Sequence, residues 1–468
     1  MRNRTFIKLF SVLLTASLVV LGCDSSSNDG VNELTQGTTT TTGGGTGGTG
    51  GGGTAGLTGA TLTGGGGGTA GTGGGTSPTT GTGTGTDTGT GTDTGTGTGG
   101  TGGSFSNTVR LVESVTSLNN PTQMVRLGNT IYFVDGFAFG QSNGRLMAIT
   151  ATADGLSDPV RITPAPTSTV QSFTNPWGIA TDGTNLYISV GFNANPEAGI
   201  LRVSNLTASS GVFTNISGTA DFPINPTYMT VANVNGQDFC YWSEYTGANG
   251  RVRRVRTDGT GTVDLVVNNL QFPAGLAHDG VNLMICDSDG GANGQVVRVP
   301  LAATTTLTPS SPQAIIIAPA VGEQTIVRPF EIAHDGVNGF FFTEGNAIET
   351  SQLISSGPGN GAVRYIANGS NTARLVSNGL TNTAGLSVSV LANGNVGLLF
   401  SESVAINGRI LRRVVDPANV TNADPEQIDI GLNRPIDVLI ANNTLPIFAG
   451  LVNYNGGQAN GLINAYAP

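Results

Sequence analysis

The sequence predicts an all-β domain made of one four-stranded antiparallel unit repeated seven times. Three observations carry this. Gly, Pro and Asn interrupt nearly every window long enough for a helix. Related openings recur at Asn120-Pro121, Asn175-Pro176, Asn225-Pro226, Phe272-Pro273, Arg328-Pro329, Thr383-Ala384 and Arg434-Pro435, with Ala384 where proline is expected. The steps between them are 55, 50, 47, 56, 55 and 51 residues. The two ends of the repeat region are also complementary. Ser106–Leu118 matches the strands that end earlier units (Ser370–Leu380 and Gly261–Leu270), while the last unit stops after its third strand, Gly461–Ala467. These features define a single seven-bladed β-propeller over residues 104–468, closed by the N-terminal strand.

From the N-terminus, Met1–Lys8 is basic and Leu9–Gly22 (LFSVLLTASLVVLG) is an apolar run of signal-peptide length, short for a membrane span. Val20-Leu21-Gly22-Cys23 resembles a bacterial lipobox. The resemblance implies that residues 1–22 are a lipoprotein signal peptide and that Cys23 carries the lipid. The protein would then be anchored in the bacterial cell envelope, periplasmic or surface-exposed. An ordinary secretory signal with an incidental cysteine is the alternative. Asp24 resembles the inner-membrane retention signal of enteric bacteria.

Residues 23–103 read as a flexible linker: Gly37–Gly103 spans 67 residues, of which 58 are Gly or Thr. A coil of that composition reaches roughly 45 Å. Lys8 is the only lysine, and beyond the leader 17 arginines face 30 acids. A mildly acidic surface without basic runs argues against nucleic acid as a partner and predicts no direct hold on anionic lipid by the folded domain. A monomer is expected. Cys240 and Cys286 are expected as buried thiols rather than a disulfide.

Each repeat reads alike. The second is NPWGIATDGTNLYISVG, the fourth FPAGLAHDGVNLMICDS and the fifth RPFEIAHDGVNGFFFTEG. An apolar strand leads to an Asp-Gly or Asn-Gly turn, then to a second apolar strand. A loop that usually ends in Gly leads to a third strand (GILRV, GRVRRV, GQVVRV, GRILRRV), and a looser fourth closes the unit.

The Pro-x-Gly-Ile-Ala-x-Asp-Gly opening resembles the NHL and streptogramin-lyase-like propellers. Phe239–Gly259 (FCYWSEYTGANGRVRRVRTDG) resembles a YWTD repeat, with Ser-Glu in place of Thr-Asp. Together these resemblances cover Thr108–Pro468. They imply the fold, and a fold alone does not imply an activity.

Candidate chemistry lies in two sets of acids. The second strand ends in Asp135, Glu244, Asp287, Glu344 and Glu402, with Val190 and Gly450 in the two remaining places. Such a ring on one face would bind Ca2+, Mg2+ or a cationic ligand, or would be structural, each acid capping backbone N–H groups or pairing with Arg202, Arg254, Arg298, Arg364 or Arg412. The YWTD resemblance implies the structural role. Glu331 and Asp437, just after blade-opening prolines, are candidate channel acids. Asp287-Ser288-Asp289-Gly290 has the alternation of a short calcium loop without the bidentate Glu of an EF-hand.

His278 and His334 occupy hairpin turns, away from the acidic ring. A streptogramin-lyase mechanism needs a His base with Mg2+ on the ligand face, and a lactonase of the senescence-marker type needs Glu, Asn and Asp on one metal. Glu331 and Asp437 are better placed for the second than the histidines. Loops carry function on a rigid scaffold. The longest here, Gly345–Gly361, holds Glu349, and Phe137, Phe139, Phe192, Tyr245 and Tyr454 sit in equivalent loops. No cofactor is required by this pattern. The reading is therefore a lipid-anchored envelope propeller acting as a binding or scaffolding module for protein or glycan. A metal-dependent lyase or lactonase is the alternative.

Overall fold

The computed structural model describes residues 110–118, 120–136, 144–152, 155–191, 198–218, 222–245, 249–288, 294–345, 361–404, 407–432, 435–440, 447–451, 454–455, 458–459 and 461–467. The expected signal peptide (1–22), Cys23, the expected linker (23–103), Asp289, Glu349, Phe137, Phe139, Phe192 and the Tyr454 side chain lie outside the described residues.

Among the described residues the protein is all-β. One four-stranded sheet is Pro226–Val234, Gln237–Glu244, Gly250–Arg256 and Asp264–Leu270, in that order; Pro273–His278 and Thr383–Val390 open further four-stranded sheets. Pro329–His334 opens a sheet to which Ala318–Pro319 adds a fifth strand, in parallel. The units opened by Met124–Leu127 and Ile179–Thr181 are sewn into one sheet by parallel pairing of their outer strands, Val160–Pro164 and Ser210–Asn215. In the last unit Pro435–Ile440, Ile447–Leu451 and Gly461–Ala467 are joined by Arg110–Leu118, the first strand of the described chain. The first strands touch in succession, and Pro435–Ile440 touches Met124–Leu127. This is the architecture of a β-propeller.

The apolar runs follow from burial on both strand faces. Successive side chains of a strand point to opposite sides. In LYISV, Leu186 and Ile188 pack with Leu146 and Val134 of the preceding unit, while Tyr187 packs with Met229 and Trp242 of the next. In GFFFTE, Phe340 and Phe342 face the preceding unit and Phe341 the following one. The core is therefore a series of clusters between neighbouring units; the one around Phe340 reaches from Tyr228 of the third unit to Ala384 of the sixth. Another joins Leu118 and Ile463 of the last unit to Met124, Ile131 and Phe133 of the first.

The repeated Gly and Pro mark where units meet. A Cβ on Gly250, Gly294 or Gly408, at or just before the start of third strands, would lie 2.2, 2.2 and 2.5 Å from Cδ of Pro273, Pro329 and Pro435, each of the following unit. A Cβ on Gly178, Gly275 or Gly385 would meet the next first strand at Thr227 O, Phe330 O and Ile436 O, at 2.0, 2.7 and 2.5 Å. Both glycines of the repeat are thus set by close approach of neighbouring sheets.

The structure moves two expected register positions. Thr383, and not Ala384, occupies the proline place: it pairs with Glu402 as Pro226 does with Glu244 and Pro329 with Glu344. Its hydroxyl, which a proline lacks, donates to the carbonyl oxygens of Glu344 and Ala362. In the last unit Leu451, not Gly450, stands opposite Pro435 at the acid position. Both shifts come from pairing register, which a gapless reading of loosely similar units does not resolve.

Candidate functional site

The second-strand acids lie at equivalent strand ends and point into the fold. Asp135 accepts from Asn120 N at 2.7 Å and pairs with Arg145. Asp287 Oδ1 accepts from Gln271 N and Phe272 N at 2.9 and 2.8 Å, and Oδ2 from Gln295 Nε2 at 2.9 Å. Glu344 accepts from Val327 N at 3.0 Å and from Arg364 Nε at 2.6 Å. Glu402 accepts from Thr381 N at 2.6 Å and pairs with Arg409. Glu244 accepts from Trp242 Nε1 at 2.7 Å and Arg251 Nε at 2.6 Å. All five are buried. Four of them tie the end of the second strand to the backbone that leads into the first, the arrangement expected for the structural alternative.

The arginine partners differ from those anticipated. Arg364 does pair with Glu344, but Arg145, Arg251 and Arg409, at the head of the third strands, serve Asp135, Glu244 and Glu402. Arg254 binds Asp264, Arg412 binds Glu426, Arg298 donates to Ser370 O and Arg202 to Thr257 O. Side chains two residues apart on a strand share a face, so the ones opposite the acid are reached first. The calcium-loop reading meets the same geometry: both Asp287 oxygens are engaged by the protein.

A signal the sequence reading missed lies one residue before the acid position, which Val190 fills in the second unit. Ser189, Ser243, Thr343 and Ser401 are buried hydroxyls that accept from Gly178 N, Tyr228 N, Glu331 N and Gly385 N, at 2.7, 3.2, 3.2 and 2.9 Å. Ser189 and Thr343 also donate to Thr227 O and Ala384 O of the next unit, both at 2.8 Å. Cys286 takes this place in the fourth unit and is free and buried, as is Cys240. Aligning the Ser/Thr-acid dipeptides would have exposed the pattern.

The residue two places after the opening proline, or after Thr383 in the sixth unit, brings the channel acids into view. These residues are Gln123, Gly178, Tyr228, Gly275, Glu331, Gly385 and Asp437. Gln123 Oε1 accepts from Ile179 N at 3.2 Å, Glu331 Oε2 from Leu386 N at 3.0 Å and Asp437 Oδ2 from Met124 N at 2.7 Å. Each polar side chain thereby binds the first strand of the following unit. Glu331 and Asp437 also sense one another. Burial pushes the Asp437 carboxyl up to about 7. Burial, then the charge of Asp437, pushes Glu331 well above the usual carboxylate range. The Tyr228 phenol is raised by burial first, then by both carboxylates. Chemically, each of these acids can hold a proton or offer an oxygen to a cation. Among the described residues no three His, Cys, Asp or Glu groups gather into a metal cage.

A pH dependence follows. Both carboxyls hold their protons longer in the folded chain than in the unfolded one, so the folded state binds more protons above pH ~4. Stability is therefore expected to fall as pH rises from about 4 through about 7. Asp437→Asn and Glu331→Gln should flatten that slope in urea titrations at pH 5 and 8; an unchanged slope in both would refute the assignment.

The histidines hold turns. His278 Nδ1 accepts from Gly280 N at 3.2 Å and His334 Nδ1 from Gly336 N at 3.1 Å. His278 Nε2 lies 2.8 Å from Val231 O, and burial lowers its pKa. The adjacent Asp279 and Asp335 accept from backbone N–H groups two and three residues on, with Gly280 and Gly336 at φ 86. Tyr245 packs on Phe272, ring centroids 4.0 Å apart.

No family model and no curated protein matches the chain. Among solved structures, the periplasmic gluconolactonase of Pseudomonas aeruginosa is 14% identical, with 72% of this chain and 100% of that one covered at a TM-score of 0.45. The Dos1 propeller is 7% identical over 77% and 95%, at 0.47. Hydrazine synthase of Kuenenia stuttgartiensis is 12% identical over 75% and 97%, at 0.47. Likeness at this level carries no argument about activity.

Proposed function

We propose that residues 104–468 form a seven-bladed propeller closed by the N-terminal strand. In this reading it is a non-enzymatic binding module for an envelope protein or glycan, held by lipid on Cys23 through the linker at 23–103. Ring closure is supported by the pairing of Arg110–Leu118 with Gly461–Ala467, and by the cluster uniting Leu118 and Ile463 with the first unit. The binding reading rests on one observation: the carboxylates repeated from unit to unit are turned inward onto backbone N–H groups and arginines. Unit-to-unit variation in sequence then lies in the segments after the second strands, which carry Phe137, Phe139 and Phe192; aromatic residues are the type that suits contact with a sugar or peptide.

The test is titration of the chain lacking residues 1–22 against purified envelope glycans and envelope proteins. Phe137→Ala with Phe139→Ala should weaken binding about tenfold or more. The alternative, a metal-dependent lyase or lactonase, draws on Glu331 and Asp437 alone. Turnover of a gluconolactone or a streptogramin with Ca2+ or Mg2+, abolished by Glu331→Gln, would replace the binding reading. For the address, Cys23→Ala should abolish fatty-acid labelling and release the protein from the membrane fraction. Labelling that persists in this variant would refute the lipid anchor.

A further inference from the structure

Arg110–Leu118 is held in its sheet differently from the other strands there. Pro435–Ile440, Ile447–Leu451 and Gly461–Ala467 follow one another along the chain, whereas Arg110–Leu118 arrives from the opposite end and lies outermost. Its ladder runs from Arg110 opposite Ala467 to Leu118 opposite Gly461. It is irregular between Leu111 and Glu113 and again between Val115 and Leu118. Irregularities of the same kind lie between the third and outer strands of the third, fifth and sixth units, so what sets this strand apart is its connectivity.

The two ends of this strand are unequal. Leu118 is buried with Ile463 against Met124, Ile131, Phe133, Met147 and Ile149. Beyond it, Asn120 N is fixed by Asp135. Arg110 is the end at which the chain arrives from the Gly/Thr-rich segment. A pull on that segment therefore loads the ladder from Arg110 inward, one pair at a time, and reaches Leu118 last.

We propose that Arg110–Leu118 is a releasable clasp: tension on the tether peels it from Gly461–Ala467 as far as Leu118, whose packing then stops the opening. The peeled state presents the edge of Gly461–Ala467 as a template for another strand. This rests on the tethered reading above, but its test needs no lipid and is independent of the anchor.

The chain beginning at Cys23 is pulled between DNA handles on the unlipidated Cys23 thiol and on Ala418→Cys, an exposed site in the sixth unit; Cys240 and Cys286 are buried. The expected record has an early step releasing about 27 Å, roughly the length of the extended segment 110–117, before global unfolding. A second variant, carrying Cys23→Ser, is held at Thr184→Cys and Ala418→Cys, which bypasses the strand, and is expected to lack that step. Leu118→Ala should lower the force of the event that follows it. An absent early step in the first geometry, or the same step in the second, overturns the clasp. An unchanged second event in Leu118→Ala overturns Leu118 as its stop.

Discussion

Arg364→Met is expected to destabilise the protein by about 3–5 kcal/mol, because it strips a buried charge network of its cation. Arg364 is 1% exposed. Its Nε donates to Glu344 at 2.6 Å, Nη1 to Glu323 at 2.9 Å and Nη2 to Gln324 O at 2.9 Å. Glu323 in turn accepts from Leu375 N at 2.9 Å, and Glu344 from Val327 N at 3.0 Å. One guanidinium thus joins the second strand, the segment before the first and the outer strand of the unit. Burial already outweighs the Arg364 charge in setting Glu344 and holds its carboxyl above the usual range. Removing the cation leaves that carboxylate uncompensated. Adding Glu344→Gln should recover part of the loss, since Gln still accepts from Val327 N and carries no charge. Urea unfolding at pH 7 measures both variants. A single variant within 1 kcal/mol of the parent would show that the network adds little.

The other large effect is steric. Gly178→Ala is expected to cost about 3 kcal/mol, the upper end for overpacking. The new Cβ would lie 2.0 Å from Thr227 O and 3.0 Å from Ser189 Oγ. Neither can retreat cheaply: Ser189 Oγ accepts from Gly178 N and donates to Thr227 O, so relief breaks a buried bridge between two units. Gly183→Ala provides the contrast. Gly183 has φ 87 with nothing within 4 Å of a Cβ, so its cost is conformational, about 1 kcal/mol. The reverse order of the two variants in urea unfolding would refute the account of why the repeat carries glycine after its opening proline.

What the sequence determined by itself was the local and periodic part of this protein. Burial on both strand faces writes continuous apolar runs, Asp-Gly turns need an Asx acceptor and a residue at positive φ, and a glycine-threonine stretch has no side chains with which to build a core. Spacing alone therefore exposed the four-stranded unit, the acid at its second strand and the spare strand at the N-terminus. Tertiary structure decided the pairings. Asp437 and Met124 are separated by 313 residues and meet through one hydrogen bond, and no local pattern predicts which backbone N–H a carboxylate will reach. The same holds for the exchange of Arg202, Arg254, Arg298 and Arg412 for Arg145, Arg251 and Arg409, and for Thr383 in a proline's place. Composition shows which acids exist; register between strands, set by packing across sheets, decides which donors face them. The candidate site divides along that line: the residue types of the ring and the channel were legible, and their burial and engagement came from neighbouring units folding against them.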